Sequence, residues 1–226
     1  LILDGLGRLE YRGYDSAGVA VIQEGTIHIR RDVGKLSNLR SKVAADPISG
    51  GSGIGHTRWA THGAPAEHNA HPHLSMEGDY VLVHNGIVEN YLELKAELQA
   101  EGVEFRSETD TEVIVHLIER FAQNGASHNL TEATRKAVSL LRGAHAIVVM
   151  SRRNPGELVA VRIGNAGGVA LGLGDRENFI ASDIPAILDY TRRMIFLENR
   201  QMATVTADSF TVQTLDGQPV RLQVHS

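Results

Sequence analysis

The chain has 226 residues, 42% hydrophobic and 22% charged, with a formal net charge of -5 at pH 7. That much apolar side chain supplies a core for one generous domain or two small ones, and the acidic balance disfavours a nucleic-acid partner, which needs clustered Lys and Arg. With no Cys there are no disulfides and no thiolate metal sites, no apolar run approaches the ~20 residues that span a bilayer, and no secretory leader pattern is present, so a cytoplasmic protein without a membrane partner is expected.

The chain opens on Leu1-Ile2-Leu3, already inside an apolar pattern, and reads as a fragment. Ile2, Leu6 and Leu9 have helical spacing. Arg12 to Gly18 breaks that pattern as a Gly-bearing loop. Val19-Ala20-Val21-Ile22, the Glu24-Gly25 turn and Thr26 to Arg30 predict a hairpin. Lys35 to Ala45 predicts a short polar helix, residues 46–53 a Pro/Gly/Ser loop, and Gly55 to Arg58 the end of a strand. Thr61 to Gly78 has little periodicity, and loops so irregular inside a compact domain are usually functional or disordered.

Tyr80 to His84 predicts a strand that runs into Asn85-Gly86. Asn90 to Ala100 is amphipathic through Tyr91, Leu94 and Leu98, with Gly102 as a stop. Thr109-Asp110-Thr111-Glu112 has the form of a capping box ahead of a helix that carries Val113, Ile114, Leu117, Ile118 and Phe121. A further helix is expected from about Asn129 to Arg142. Strands follow at 144–150, 157–162, 169–173, 178–181, 194–198, 203–206, 211–215 and 220–224, interrupted by a short helix near 185–190. Hairpin-like strands with helices grouped mid-chain predict an α+β fold of antiparallel sheets with helices stacked outside.

Six of the eleven histidines fall between His56 and His84. No helical metal-ligand spacing is present among them, so hydrogen-bonded loop histidines are favoured over a metal site. The run Gly164-Asn165-Ala166-Gly167-Gly168 lacks the Lys and Ser/Thr of a phosphate loop and is read as tight turns. Asn85-Gly86 is most often a type I′ hairpin turn; its functional reading is a pair of donors converging on one oxyanion. Asp110 at a helix start is explained by the macrodipole, or by a substrate ammonium group. Arg58 reads either as a surface ion-pair partner or, beside Trp59 and Thr61, as a grip on a carboxylate, because guanidinium donates two parallel hydrogen bonds. Trp59 could equally be core. Together Arg58, Asp110 and Asn85-Gly86 fit an α-amino acid attacked at its side-chain carbonyl, but no nucleophile is in evidence.

Five blocks, in order, resemble the glutaminase (type 2 glutamine amidotransferase) domain of glucosamine-6-phosphate synthases, the isomerising glutamine–fructose-6-phosphate aminotransferases. They are Glu10 to Gly18, His56 to Gly63, Asn69 to His73, His84 to Asn90 and Glu108 to Glu112. The resemblance implies an N-terminal-nucleophile hydrolase fold, a four-layer αββα sandwich of two antiparallel sheets. It implies an N-terminal Cys that attacks the amide of L-glutamine, with its own α-amino group as base. L-Glutamate is released, and ammonia passes to an isomerase domain that turns fructose 6-phosphate into glucosamine 6-phosphate for amino sugar synthesis. No cofactor and no metal are implied, and the full-length form is expected to be a homo-oligomer.

By the same resemblance Arg58 grips the α-carboxylate, helped by Thr61 and His62. Asp110 takes the α-ammonium group with the Gly86 carbonyl, and Asn85 with the Gly86 N–H forms the oxyanion hole. Arg12 and Gly13 shape the surroundings of the nucleophile, His71 supports the glutamine loop, and Trp59 lies on a loop that closes over substrate. The family's opening Cys-bearing strand and its isomerase domain have no counterpart in residues 1–226, so this stretch, a glutaminase domain without its nucleophile, is expected to be inactive alone. The other readings are the glutaminase domain of an amidophosphoribosyltransferase, a non-catalytic amino-acid-binding domain and a His-based metallohydrolase.

Overall fold

A computed structural model describes residues 1–125 and 129–226. Long, largely apolar strands are β5 (Tyr80–Gly86), β6 (His145–Ser151) and β7 (Leu158–Ile163). Their near-continuous apolar runs are what a strand covered on both faces needs. They form the centre of a six-stranded antiparallel sheet ordered β12-β11-β7-β6-β5-β4, completed by β4 (His73–Leu74), β11 (Gln201–Val205) and β12 (Phe210–Thr214).

Helices cover one face of this sheet. In α4 (Glu112–Gln123) the residues Val113, Ile114, Val115, Leu117 and Ile118 are all fully buried. A helix so apolar around its circumference belongs between layers. It packs Leu82, Ile147 and Val149 of the sheet against α3 (Tyr91–Ala100) and α5 (Leu130–Ser139). The side chain of Asn129 caps α5 by accepting the Glu132 N–H at 2.9 Å.

The second sheet layer is in two pieces. One is the hairpin β1 (Ser16–Gln23) and β2 (Thr26–Val33) with β3 (Gly53–Arg58), ordered β2-β1-β3. Its turn places Glu24 and Gly25 at φ 52° and 74°, the left-handed pair of a type I′ turn. The other piece is β8 (Ala170–Leu173), β9 (Asn178–Ala181) and β10 (Met194–Phe196), ordered β10-β8-β9. Both pack on the inner face of the long sheet, the first through Ala20 and Ile54 on Val81, Val83 and Met150, the second through Val169 and Leu171 on Ala146 and Ala160. Outside lie α1 (Ile2–Leu9) and α2 (Leu36–Ala45). Leu6 of α1 joins the apolar cluster of β1, and Leu9 joins that of Phe179 and Ala181 on β9. The order is thus helices, sheet, divided sheet, helices: the expected αββα sandwich.

Three expectations need correction. No strand forms at 220–224; isolated bridges Gln213↔Pro219 and Met194↔His225 flank the segment, the first carried by the Val220 N–H on the Val212 carbonyl at 3.0 Å and the Thr214 N–H on the Gln218 carbonyl at 2.8 Å. The helix near 185–190 is a single 3₁₀ turn, Ile184–Ala186. Thr109 is no helix cap: α4 begins at Glu112 with Thr111 before it, and no side chain caps it. Among the described residues no helix is long and apolar enough to cross a membrane.

Candidate active site

The edge strands β3 and β9 flank a cavity of about 870 Å³, with Val83, Ala146 and Val148 of the long sheet below and Ile2, Leu6 and Leu9 of α1 above. The cavity reaches Arg12, Arg58, Trp59, Thr61, His71, Asn85, Gly86 and Asp110, so eight of the expected site residues line one space.

Asn85-Gly86 is no hairpin turn. Both residues belong to β5 and pair with β6, Asn85 opposite Ala146 and Gly86 opposite His145. Gly86 has φ 130°, and a Cβ there would stand 2.1 Å from the Ala144 carbonyl oxygen. Only glycine allows this close approach. Oδ1 of Asn85 accepts from Nε2 of His56 at 2.8 Å. That leaves its Nδ2 donors free of the ring, beside Gly167 of the glycine-rich run. The run is a turn after β7, as expected, and also a wall of the site through Ala166 and Gly168.

Arg58 ends β3 and is 4% exposed. Its guanidinium donates to the carbonyls of His62, Gly63 and Ala64, the last two at 3.1 and 3.3 Å. Both N–H groups of Nη2 and one of Nη1 therefore hold the loop after Trp59, which leaves Nε–H and one Nη1–H on different sides of the guanidinium. Trp59 is not core: it is 63% exposed and meets Tyr14 edge-on at 6.1 Å. Gly13 lies flat on the Arg58-Trp59 backbone, where a Cβ would come within 2.9 Å. Asp15 ties the two loops, its N–H donating to the Arg58 carbonyl at 3.0 Å and its Oδ2 accepting the Ala60 N–H at 2.8 Å. Arg12 reaches the far side of the cavity and donates to Oγ of Ser182 at 3.2 Å.

Asp110 is 3% exposed. Its Oδ2 accepts the Val88 N–H at 2.7 Å, and its Oδ1 lies 4.0 Å from Nδ1 of His62. Its neighbour Glu112 does not reach back to a cap. Its carboxylate takes the N–H groups of Arg106 and Ser107, both at 2.7 Å, and Nε2 of His116 at 3.1 Å. Burial raises the Glu112 pKa, but those hydrogen bonds outweigh it and hold the carboxyl at about 2. The buried carboxylate so fixes the segment that presents Asp110.

Behind the site lies a set of neutral imidazoles. Burial lowers His56 to about 4 and His73 to about 3, and takes His71 and His84 well below their ordinary range, with neighbouring histidines adding to the effect. Their tautomers follow from their partners. The Arg142 carbonyl can only accept, so Nε2 of His145 donates to it at 3.2 Å. Nδ1 of His145 then accepts from Nε2 of His84 at 3.1 Å, and Nδ1 of His84 accepts the Thr111 hydroxyl at 2.9 Å. Nδ1 of His71 accepts the His84 N–H at 3.2 Å, and the His71 ring stacks on His56 at 4.1 Å. The histidines are thus hydrogen-bonded framework, and among the described residues no group of three or more His, Asp or Glu is arranged to hold a metal. The roles of His56, Asp15 and Val88 leave no local signal in the sequence, for each acts on a residue that only the fold brings near.

Residues 56–189 match the family model for a glutamine amidotransferase domain. The chain is 49% identical to a glutamine–fructose-6-phosphate aminotransferase (isomerising) of Aquifex aeolicus over 99% of its own length and 37% of the relative's. It is 50% identical to one of Thermus thermophilus over 98% of its length and 35% of that protein. It thus spans little more than a third of these relatives. Among solved structures, a glutamine phosphoribosylpyrophosphate amidotransferase of B. subtilis superposes with a TM-score of 0.80 at 24% identity, covering 97% of this chain and 47% of that one. A likeness at that identity speaks for the fold, and it is the sandwich described above. The family model covers the Arg58 loop, the Asn85-Gly86 strand end and Asp110. By that match and by close identity along almost its whole length, the chain belongs to the glutamine amidotransferase domain family.

Proposed function

We propose that residues 1–226 form the glutamine-hydrolysing domain of an isomerising glutamine–fructose-6-phosphate aminotransferase. One observation carries the reading: a cation (Arg58), a carboxylate (Asp110) and an amide beside a close-packed glycine (Asn85-Gly86) line one cavity. Arg58 binds the α-carboxylate of L-glutamine through its charge and one of its remaining N–H groups. Asp110 binds the α-ammonium group, with His62 and the Gly86 carbonyl at its side. Nδ2 of Asn85 and the Gly86 N–H stabilise the oxyanion that forms at the side-chain carbonyl.

The nucleophile is a Cys thiol on a strand outside residues 1–226 that lies between β3 and β9. Two facing sheet edges with an 870 Å³ space between them support this, because an unpaired edge inside a domain calls for a strand to pair with. Arg12 and Gly13 border that strand's end. The thiol adds to the amide carbon, ammonia leaves, and water cleaves the thioester to L-glutamate. The ammonia goes to an isomerase domain elsewhere in a longer chain, a homo-oligomer of the cytoplasm, and becomes the amino group of glucosamine 6-phosphate. Residues 1–226 alone are inactive.

The test uses the full-length protein with its N-terminal Cys. Glutamine with fructose 6-phosphate should yield glucosamine 6-phosphate, and glutamine with phosphoribosyl pyrophosphate should yield no phosphoribosylamine. The reverse result would replace the sugar phosphate assigned here. In the same protein Asn85→Ala should slow glutamine hydrolysis by ~10²–10³-fold; a rate near that of the unsubstituted protein would remove the oxyanion assignment.

A further inference from the structure

An amide side chain is useful in an oxyanion hole only one way round. With Nδ2 towards the substrate it donates to the developing charge; with Oδ1 there it repels that charge. Asn85 sits at the end of β5, where the strand's own ladder fixes the backbone but not the side-chain amide. What Asn85 touches on its other side is His56, through Oδ1 and Nε2 at 2.8 Å. Oδ1 can only accept, so Nε2 carries the hydrogen. The ring itself is held by a stack on His71, 4.1 Å between centroids and 14° between planes. His71 is pinned in turn by the His84 N–H, one residue before Asn85.

We propose that His56 is the positioning residue of the oxyanion hole: its Nε2–H fixes Oδ1 of Asn85 and thereby turns the Asn85 N–H groups into the cavity. This rests on the reading of Asn85 as an oxyanion donor. His56 touches no reacting atom, so its removal leaves glutamine binding in place and acts on the transition state, where the oxyanion exists. The effect travels through Asn85 alone.

Two substitutions separate this role from packing. In His56→Gln the new side-chain nitrogen can reach the place of Nε2, whereas in His56→Asn it reaches only the place of Nδ1. Both bury a neutral amide at the same site. In the full-length protein, measured as glutamate released from glutamine, His56→Asn should lower kcat ~100-fold, the scale of one lost oxyanion donor, with KM within about twofold. His56→Gln should recover most of that loss. In an Asn85→Ala background His56→Asn should have little further effect on kcat, because the partner it orients is gone. Equal kcat for the two His56 variants would overturn the proposal, as would a loss carried by KM or one that persists undiminished in the Asn85→Ala background. No glutamate release by the unsubstituted protein would remove the glutaminase reading itself. Release impaired by Asn85→Ala but untouched by His56→Asn would remove the role of His56 alone.

Discussion

Acid should destabilise this domain before its carboxylates titrate. His71, His73 and His84 are 5%, 2% and 3% exposed, and burial holds all three far below the ordinary 6.5 of a histidine. In the unfolded chain each returns to that value. Between the two, the unfolded state binds more protons, so stability falls as pH falls below about 6.5. At pH 5 an imidazole still neutral in the fold costs about 2 kcal/mol, and three cost about 6. His56, lowered to about 4 but less covered, adds to this. A domain of ordinary stability, about 5–15 kcal/mol, then becomes marginal near pH 5. Glu112 does not confuse the window. Held at about 2, its contribution is present above its ordinary 4.5 and is lost only as pH falls from there towards 2. Urea unfolding followed by circular dichroism at pH 8, 7, 6 and 5 measures the slope. A loss of about 8 kcal/mol from the four rings, most of it below pH 6.5, is expected, with uptake of about four protons on unfolding at pH 5. A loss under about 2 kcal/mol over the whole range would refute the neutral, desolvated state assigned to these rings.

Asp110→Asn should act on substrate affinity, raising KM for glutamine ~10-fold or more through loss of a charge-assisted bond to the ammonium group. A lower melting temperature with unchanged KM would return Asp110 to a purely structural role. Arg58→Lys keeps the charge but cannot span the carbonyls of residues 62, 63 and 64, so the loop should loosen. Trp59, the single tryptophan, reports on that loop, and an unchanged emission spectrum and quenching would count against the clamp. Gly18→Ala brings a Cβ to 2.0 Å from the His71 carbonyl oxygen and should cost over about 2 kcal/mol, more than Gly25→Ala, which meets open space and suffers only its left-handed φ. Thermal unfolding that ranks the two the other way would show that β1 yields to the clash.

What was legible in the sequence was legible for local reasons. The apolar period of α4, the Glu24-Gly25 turn and the runs of β5 and β6 each fit within one element, and each appears as expected. Asn85-Gly86 shows the limit. As a dipeptide it signals a hairpin, yet Ala146 and His145, about 60 residues on, pair with it and draw it into β5. Thr109 to Glu112 has the letters of a capping box, but Arg106 and Ser107 reach the Glu112 carboxylate first. The chemistry of Arg58, Asp110 and Asn85 could be named one residue at a time. That they meet depends on where β3, β5 and the approach to α4 converge, and that depends on the cavity between β3 and β9. The cavity is a property of two sheet edges, and an edge leaves no mark on its own sequence beyond an unpaired row of N–H and C=O groups. Hence the residues that bind were readable by type, and the residue that orients one of them, His56, became readable only when the pairing of β3 set it beside β5.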